Sequence, residues 1–275
     1  MRANYVLVVS NQDPAGATMI RYLHDDLGFA PSHDKKDPPG SFTCPRYHDL
    51  KLHVSSNNLL YLENLDQSYP DATAFIFLSK HKSDSKIPTL TCHCTGNFGD
   101  NPYGGKPFEI AISYPALQKR YLQALTSARS RVPDYDVIIE ATHHGPTSLA
   151  KPLLFVELGS SEKQWSDTNA ASVICDVLLG VLENVIEPCE RVGLAFGGTH
   201  YPTKFNKLLL ESEFGLAAIA SKHSLERIDA QMLDQMTSKS IEKVTNVILD
   251  PKGLGIHKER ITKLAESSGL EVTQV

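Results

Sequence analysis

Short apolar runs alternate with amphipathic segments along the 275 residues of the chain. Apolar runs of roughly four to eight residues, rich in Val, Ile, Leu and Phe, predict strands, and apolar positions that recur at helical spacing predict helices. The predicted strands span residues 4–10, 51–54, 73–79, 89–94, 136–141, 153–157, 191–196 and 244–250. Helices are predicted after Ala17, after Pro115, over residues 168–187, after Thr203 and after Ile256. This alternation is typical of an α/β protein.

Several predicted strands are apolar on both faces, as expected of a central sheet that helices cover on each side. We therefore predict a three-layer α/β/α core. Because no break in composition marks a boundary, we assign residues 1–275 to a single α/β hydrolase-type domain. The best-marked helix begins at Thr168, where Ser166 or Asp167 can cap it. Residues 30–47 contain four prolines and a cluster of charges, which predicts a long surface loop.

The composition limits the class of protein. Apolar residues make up 41% of the chain, enough for a substantial buried core. The apolar runs are far shorter than the roughly 20 residues of a membrane span, and no basic-then-apolar signal segment opens the chain. We therefore expect a cytoplasmic protein that does not act on a membrane. Five cysteines are scattered without a CxxC pair, which argues against a disulfide framework.

The formal net charge of −5 does not favour a long footprint on a nucleic-acid backbone. Any such contact must be local, and the best candidate is a basic segment that contains Lys80, Lys82 and Lys86. A short basic loop is most often a solvated connection, but beside a catalytic cavity it can hold phosphates. We take Lys80 and Lys82 as candidates for phosphate binding.

Polar residues are concentrated at the ends of predicted strands. Glu140 lies near the end of one strand, and Thr142, His143 and His144 follow it. Histidines at three other strand ends are His81, His93 and His200. Open α/β sheets hold their ligands just beyond the carboxyl ends of their strands, so four such junctions indicate a site. Our catalytic candidates are His143, His144, Glu140 and Thr142.

The abundance of imidazoles predicts a metal. Imidazole nitrogen suits zinc, and a catalytic zinc typically takes three protein ligands and leaves one position for water. Water bound there has a pKa of about 7, which provides a nucleophile for an ester or amide carbonyl at neutral pH. Zn²⁺ is therefore the predicted cofactor. The candidate ligands are His81, His93, His143, His144, His200 and Glu157. We expect Glu140 or Glu157 to act as a proton acceptor or as a further ligand of the metal.

The strand around His93 allows a further inference, because alternate residues of a strand point to opposite faces. If His93 faces the site, Cys92 and Cys94 face away from it, unless the strand ends at Cys92. This disfavours a Cys-His-Cys metal cluster and a cysteine nucleophile. We predict that both cysteines are packing residues of the core.

Two glycine-containing turns also follow predicted strands. Gly96 and Asn97 belong to the first turn, and Gly197, Gly198 and Thr199 belong to the second. Glycine lets the backbone approach a ligand and point its N–H groups at an anion, although a glycine pair after a strand is usually only a tight turn. We include all five residues as candidates for substrate or phosphate binding.

Five motifs stand in a fixed order along the chain. They are Ser79-Lys80-His81, residues 93–99, residues 140–147, Glu157-Leu158-Gly159-Ser160 with Trp165, and residues 197–201. As a set they resemble the archaeal and plant type of D-aminoacyl-tRNA deacylase, over a region from about Asn4 to about His223. The chain departs from the family pattern at Thr199, where a third glycine is expected. After His223 we match no motif.

The resemblance implies a phosphorylase/hydrolase-like α/β/α fold with a central mixed sheet. It also implies a zinc-dependent hydrolase that cleaves the ester bond of D-aminoacyl-tRNA and releases free D-amino acid and tRNA. Such an enzyme proofreads the chirality of the amino acid. The implied partner is the acceptor end of aminoacylated tRNA, and we expect the protein to act as a monomer.

Two other functions agree with the same residues. One is a metal-dependent amidohydrolase or peptidase that acts on a small substrate through the same histidines. The other is a non-catalytic nucleoside- or phosphate-binding protein whose histidines only form hydrogen bonds. A test with acylated tRNA as the substrate distinguishes an amidohydrolase or peptidase from a deacylase. Stoichiometric zinc in the purified protein argues against a non-catalytic binding protein.

Overall fold

The structure, a computed structural model, describes residues 4–275. Its strands are β1 (Tyr5–Ser10), β2 (Ala30–Pro31), β3 (Ser41–Thr43), β4 (Leu50–Ser55), β5 (Ala74–Lys82), β6 (Thr89–His93), β7 (Gly96–Asn97), β8 (Glu109–Ile110), β9 (Asp136–Ile139), β10 (Leu153–Ser160), β11 (Arg191–Phe196), β12 (Phe214–Ala220), β13 (Asn246–Leu249) and β14 (Glu271–Gln274). Its α-helices are α1 (Pro14–Asp25), α2 (Leu65–Ser68), α3 (Pro115–Ser127), α4 (Glu162–Trp165), α5 (Thr168–Leu182), α6 (Thr203–Glu211), α7 (Ala230–Ser238) and α8 (Lys258–Ser267). The predicted alternation of strands and helices is confirmed.

The larger of the main sheets has eight strands in the order β2-β3-β4-β1-β5-β10-β6-β9. Strands β4, β1, β5 and β10 are parallel to one another. Strand β6 pairs with β10 in the antiparallel direction, and β9 is parallel to β6. The sheet is therefore mixed, as predicted, and its last two strands run against the central four.

A second sheet contains four parallel strands in the order β12-β11-β13-β14. Thr142, just beyond β9, connects the two sheets. Its amide donates to the Ile219 carbonyl at 3.0 Å, and the Ile219 amide donates to the Thr142 hydroxyl at 3.0 Å. Ile219 belongs to β12. This edge of the second sheet is therefore fixed against the segment that carries His143 and His144.

One apolar core runs through both sheets. On one face of the larger sheet, Ile76 and Val156 pack in a cluster with Met19 of α1 and Ile174 of α5. The same cluster contains Ile219 of the second sheet. This shared core favours a single folding unit, and the assignment of one domain stays a prediction.

Helices cover the second sheet on both faces. Phe205 and Leu209 of α6 belong to the shared core, whereas Met232 of α7 and Ile261 of α8 pack with Leu194 on the other face. The second face of the larger sheet packs against α2 and irregular segments instead. No helix within residues 4–275 is long and apolar enough to cross a membrane.

Several predicted boundaries are corrected by the structure. Helix α5 ends at Leu182 rather than at residue 187, and Asp167 caps it by accepting a hydrogen bond from the Ala170 amide at 2.9 Å. The predicted loop over residues 30–47 is partly wrong, because β2 and β3 lie within it. Strand β3 pairs with β4, so this segment extends the edge of the sheet.

The sequence patterns missed the strands β7, β8, β12 and β14 and the helices α2, α4 and α7. Strand β12 has the sequence FGLAAIA, and alanine and glycine have low intrinsic strand propensity. All seven of its residues are nevertheless buried, and it pairs with β11 on one side and with Thr142 on the other. Its conformation is therefore decided by tertiary packing rather than by local pattern.

Candidate active site

A cavity of about 560 Å³ opens beside the larger sheet. Its volume lies within the range of roughly 300–1,000 Å³ that is usual for ligand sites. The predicted site residues that line it are Lys80, His81, Lys82, Glu140, His143, His144, Glu157 and His200. The structure therefore brings together side chains from four separate parts of the sequence. His93 lies behind this lining and is fully buried.

One row of side chains on the sheet changes from apolar to polar as it enters the cavity. Along β5, Phe77 is followed on the same face by Ser79 and His81, because alternate residues share a face. The parallel register with β10 places Glu157 beside Ser79 and Gly159 beside His81. A Cβ atom at Gly159 would lie 2.5 Å from the Cβ of His81. Glycine is therefore needed there to leave space for the imidazole.

Strands β6 and β9 bring the other residues to this face from the opposite direction. Strand β6 ends at His93, which pairs with Phe155 in the middle of β10. The two rings stack with their centroids 5.5 Å apart. Strand β9 ends at Ile139, directly before Glu140. The site consequently lies on the face of the sheet, and not just beyond a common edge of parallel strands as the sequence suggested.

The carboxylate of Glu140 lies at the centre of the cluster and is 1% exposed. Its Oε2 is 2.7 Å from Nε2 of His200 and 3.8 Å from Nε2 of His143. Its Oε1 is 3.1 Å from Nδ1 of His81, an ion-pair contact whose angles do not suit a hydrogen bond. Three imidazoles from three segments therefore meet one buried carboxylate.

Glu157 forms the second acidic centre of the cluster. Its Oε1 accepts a hydrogen bond from the Ser79 hydroxyl at 2.8 Å and lies 3.7 Å from Nε2 of His93. Its Oε2 is 3.3 Å from Nδ1 of His81. The other ring nitrogen of His81 lies 2.9 Å from the Tyr201 hydroxyl. His81 is thus held between two carboxylates and a phenol.

Both carboxylates are ionised at neutral pH. Burial alone would raise the pKa of Glu140, but its contacts with His200 and His81 outweigh burial and hold that pKa well below its usual range. The same competition, with His81 and His93 as partners, lowers the pKa of Glu157 to about 2. Burial opposes protonation of His81, but the two carboxylates reverse this and raise its pKa to about 10. The cluster therefore attracts positive charge.

His143 and His144 behave differently, because burial and repulsion from His93 lower the pKa of His143 well below its usual value and that of His144 to about 4. Both rings are neutral at pH 7. Nδ1 of His143 donates to the Ala141 carbonyl at 2.8 Å, and Nδ1 of His144 donates to the Gly145 carbonyl at 2.7 Å. Each Nε2 therefore presents a lone pair. His144 has φ +46°, a left-handed conformation that is uncommon outside glycine and that orients its ring here.

The cluster fits a metal ion. Ligand atoms lie within 4.8 Å of one another in three overlapping groups, namely His93-His143-His144, Glu140-His143-His200 and His81-Glu140-Glu157. Among residues 4–275, His93 Nε2 and Glu140 Oε1 are buried atoms without a hydrogen-bond partner, an arrangement that is costly unless another group satisfies them. Imidazole nitrogen and carboxylate oxygen are both zinc donors. A divalent cation would also balance the two ionised carboxylates.

Three predicted site residues have other tasks in the structure. The hydroxyl of Thr142 is bonded to Ile219 in the link between the sheets. The Gly96 amide donates to the His144 carbonyl at 2.8 Å, and the side-chain amide of Asn97 donates to the Gly104 carbonyl at 2.8 Å. All three residues are buried and engaged with the protein. The catalytic role of Thr142 and the phosphate-binding roles of Gly96 and Asn97 stay predictions.

The turn before His200 also shapes the site rather than lining the cavity. The Gly197 amide donates to the Ala220 carbonyl at 2.9 Å, and the Gly198 carbonyl accepts from the Lys222 amide at 2.9 Å. Both glycines have positive φ angles, +107° and +73°. The Thr199 hydroxyl donates to the Tyr201 carbonyl at 2.9 Å. These contacts fix the direction from which His200 reaches Glu140.

Lys80 and Lys82 lie on β5 itself, because the strand continues past its predicted end at Ser79. Both line the cavity. The ammonium group of Lys80 lies 5.5 Å from the centre of the Trp165 ring, and the indole N–H of Trp165 donates to the His81 carbonyl at 2.7 Å. The two lysines therefore sit on a rigid element next to the acidic cluster.

The cysteines agree with the predicted packing role. Cys92 is fully buried on the face of β6 opposite His93, and burial raises the pKa of its thiol. Cys94 follows the end of the strand and, contrary to the predicted orientation, packs with Phe77 and Phe155 on the face that carries the site. Burial raises its pKa to about 12. Neither side chain is a thiolate at neutral pH. All five cysteines of the chain are free.

Sequence reasoning missed residues that support the site from a distance. The Glu63 carboxylate accepts hydrogen bonds from the amides of Thr147 and Ser148 at 3.1 and 2.8 Å. Glu109 accepts from the hydroxyls of the same two residues at 2.9 and 2.6 Å. These contacts hold the loop that carries the paired histidines. No local pattern marks Glu63, which is distant in sequence from the residues that it holds.

The cavity thus brings neutral imidazoles and ionised carboxylates together on a mixed α/β sheet. The family model for D-aminoacyl-tRNA deacylase matches residues 68–273. The chain is 36% identical to a D-aminoacyl-tRNA deacylase of Cenarchaeum symbiosum, over 97% of this chain and 98% of the relative. It is 34% identical to a D-aminoacyl-tRNA deacylase of Staphylothermus marinus, over 94% of each chain. The chain belongs to the D-aminoacyl-tRNA deacylase family and is an enzyme of that kind.

The fold is also similar to a solved structure. A crystal structure of a conserved protein of unknown function matches with a TM-score of 0.89 and 26% sequence identity. The match covers 100% of this chain and 96% of that one. The α/β fold with a central mixed sheet, as expected from the sequence, is thereby confirmed.

Proposed function

We propose that the enzyme hydrolyses the ester bond between a D-amino acid and the terminal ribose of tRNA, with Zn²⁺ held at the cluster of His and Glu side chains. The observation that carries this proposal is the convergence of imidazoles and ionised carboxylates in one cavity. The products are free D-amino acid and tRNA, so the reaction removes a wrongly charged amino acid. The cytoplasmic location and the monomeric state of the enzyme stay predictions.

The group best suited to hold the metal is His93, His143 and His144. Catalytic zinc typically takes three protein ligands, and here each ring bonds to a main-chain carbonyl through Nδ1. Those contacts orient the rings and leave Nε2 of His143 and His144 available. Burial opposes protonation of His93, but Glu157 outweighs burial and raises its pKa, so His93 would release a proton on binding the metal. Bound zinc would polarise the ester carbonyl and lower the pKa of water to about 7. Of the other predicted ligands, Glu157 supplies negative charge beside this group, whereas the protonated His81 pairs with both carboxylates and His200 pairs with Glu140.

Glu140 is the proposed proton acceptor. It takes a proton from the attacking water, whose oxygen forms a bond to the ester carbonyl carbon. The bond from that carbon to the ribose oxygen then breaks. His200, which is 2.7 Å from Glu140, carries the proton to the ribose oxygen. The protonated ring of His81 holds the two carboxylates in place, because its Nδ1 contacts Glu140 and Glu157 and its Nε2 contacts the Tyr201 hydroxyl.

Reversal of charge at Lys80 and Lys82 tests the proposed phosphate contacts. We expect the Lys80→Glu/Lys82→Glu variant to raise KM for D-tyrosyl-tRNA. We also expect it to reduce the slope of log KM against log salt by about 0.7 for each lost contact with single-stranded RNA. The measurement is steady-state deacylation at several salt concentrations.

The control for this variant is Lys207→Glu/Lys263→Glu, which changes the net charge equally. Both control lysines are exposed and pair with glutamates on α6 and α8, outside the cavity lining. The control should retain the salt dependence of the wild type. An unchanged slope in the Lys80 and Lys82 variant would show that the phosphates bind elsewhere.

The proposed reaction is tested by comparing three substrates under single-turnover conditions. We expect rapid release of D-tyrosine from D-tyrosyl-tRNA, slow release of L-tyrosine from L-tyrosyl-tRNA, and little cleavage of D-tyrosinamide. The tRNA ester is the substrate class of the family, and an alkoxide leaves more easily than an amine. Preferred cleavage of the amide would favour the amidohydrolase alternative. Absence of cleavage in zinc-loaded protein would favour a binding protein.

A further inference from the structure

Tyr103 is a large aromatic side chain at the edge of the cavity that the proposed reaction does not use. Its ring lines the cavity, and the residue is 65% exposed. Most of the neighbouring lining is polar or charged. An exposed aromatic face beside a catalytic cluster offers a flat apolar surface to a bound ligand.

The backbone around Tyr103 is held rigidly against the catalytic loop. Its carbonyl accepts a hydrogen bond from the Gly145 amide at 3.0 Å, directly after His144. The next carbonyl, that of Gly104, accepts from Asn97 at 2.8 Å. A Cβ atom at Gly104 would lie 2.1 Å from the Leu60 carbonyl oxygen. The backbone of this segment is therefore pinned between two walls of the cavity, which fixes the point from which the Tyr103 side chain starts.

Three kinds of side chain line the cavity, namely the His and Glu cluster, two lysines and Tyr103. An acylated terminal nucleotide likewise has three parts, namely the ester, a phosphate and the base. The cluster around Glu140 is complementary to the ester, and Lys80 and Lys82 are complementary to a phosphate. The remaining part of the nucleotide is its base, which is unpaired at the 3′ end of tRNA. Unpaired bases bind proteins mainly by stacking on aromatic side chains. Among residues 4–275, Tyr103 is the Phe, Tyr or Trp side chain that lines this cavity, and the imidazoles there are engaged in the His and Glu cluster.

We propose that Tyr103 is the stacking platform for the base of the acylated terminal nucleotide, and that it holds the ester over the catalytic cluster. This inference rests on the proposed hydrolysis of the tRNA ester in the same cavity. Its role is in binding the substrate. Loss of the ring should therefore affect KM much more than kcat.

The first experiment is a kinetic comparison of Tyr103→Ala and Tyr103→Phe. On D-tyrosyl-tRNA we expect Tyr103→Ala to raise KM about tenfold or more, with kcat within about twofold of the wild type. Tyr103→Phe keeps the ring and should restore KM. The matched control is Tyr61→Ala, because Tyr61 is 59% exposed but does not line the cavity. An equal KM in wild type and Tyr103→Ala would overturn the inference.

The second experiment isolates the base. Binding of the RNA trinucleotide CCA is measured by fluorescence anisotropy, beside a trinucleotide whose terminal sugar lacks its base. Wild-type protein should bind CCA about tenfold more tightly than the abasic RNA, and Tyr103→Ala should remove this difference. If Tyr103→Ala weakens both RNAs equally, the ring does not stack on the base. Wild-type protein that binds CCA but does not cleave D-tyrosyl-tRNA would instead contradict the proposed function alone.

Discussion

Removal of bound metal with a chelator should abolish the hydrolysis of D-tyrosyl-tRNA, and added Zn²⁺ should restore it. Without a cation, the buried carboxylates of Glu140 and Glu157 are balanced only by protons on nearby imidazoles such as His81. The neutral rings of His143 and His144 are then left without the positive centre that activates water. The measurement is single-turnover release of D-tyrosine in samples whose metal content is determined in parallel.

Magnesium is the control for this experiment. Mg²⁺ prefers oxygen ligands and near-octahedral geometry, whereas the proposed site is rich in imidazole nitrogen. We therefore expect Zn²⁺, but not Mg²⁺, to restore activity to the metal-free enzyme. Full activity in a preparation shown to be free of metal would contradict the proposed zinc dependence.

Replacement of His143 or His144 by alanine should lower kcat/KM for D-tyrosyl-tRNA by at least about 100-fold. This is the scale on which a metal-holding residue or a positioned acid or base acts. Neither side chain fills the apolar core, so the melting temperature should change by only a few degrees, which corresponds to about 1 kcal/mol. Deacylation and thermal unfolding are measured on the same preparations.

The matched control for the two variants is His24→Ala. His24 lies on α1, its side chain is 54% exposed, and it pairs with Asp25 at the surface. This variant should deacylate at the wild-type rate. Near-normal turnover in both His143→Ala and His144→Ala would mean that the catalytic site lies elsewhere. If the variants lose much of their stability but the folded molecules remain fully active, the two histidines have a structural role.

Local patterns predicted much of the fold because strands and helices have different periods. All eight strands expected from apolar runs occur, and β11 spans the predicted residues 191–196. The patterns did not show the directions of the strands. Strand β6 runs antiparallel to β10, and this pairing joins Phe155 to His93 across a long sequence separation. Such non-local pairing depends on the packing of the whole sheet.

The same limit applies to the site. Residue types identified the histidines, Glu140 and Glu157, because imidazoles and carboxylates at strand ends are unusual without a function. Residue types did not show which atoms are already engaged. Thr142 and Asn97 looked available in sequence, but their polar groups bond within the protein. Tyr103 carries no periodic or motif signal, and only its exposed position in the cavity identifies it.

We propose that the enzyme cleaves the ester with a zinc ion held by His93, His143 and His144. Anomalous diffraction from crystals of the active, untagged protein tests this proposal most directly, with data collected on both sides of the zinc absorption edge. We expect a zinc peak within bonding distance, about 2.0–2.2 Å, of ring nitrogens from His93, His143 and His144. A fully active crystal with no zinc peak among these residues, or with its zinc bound at another place, would contradict it.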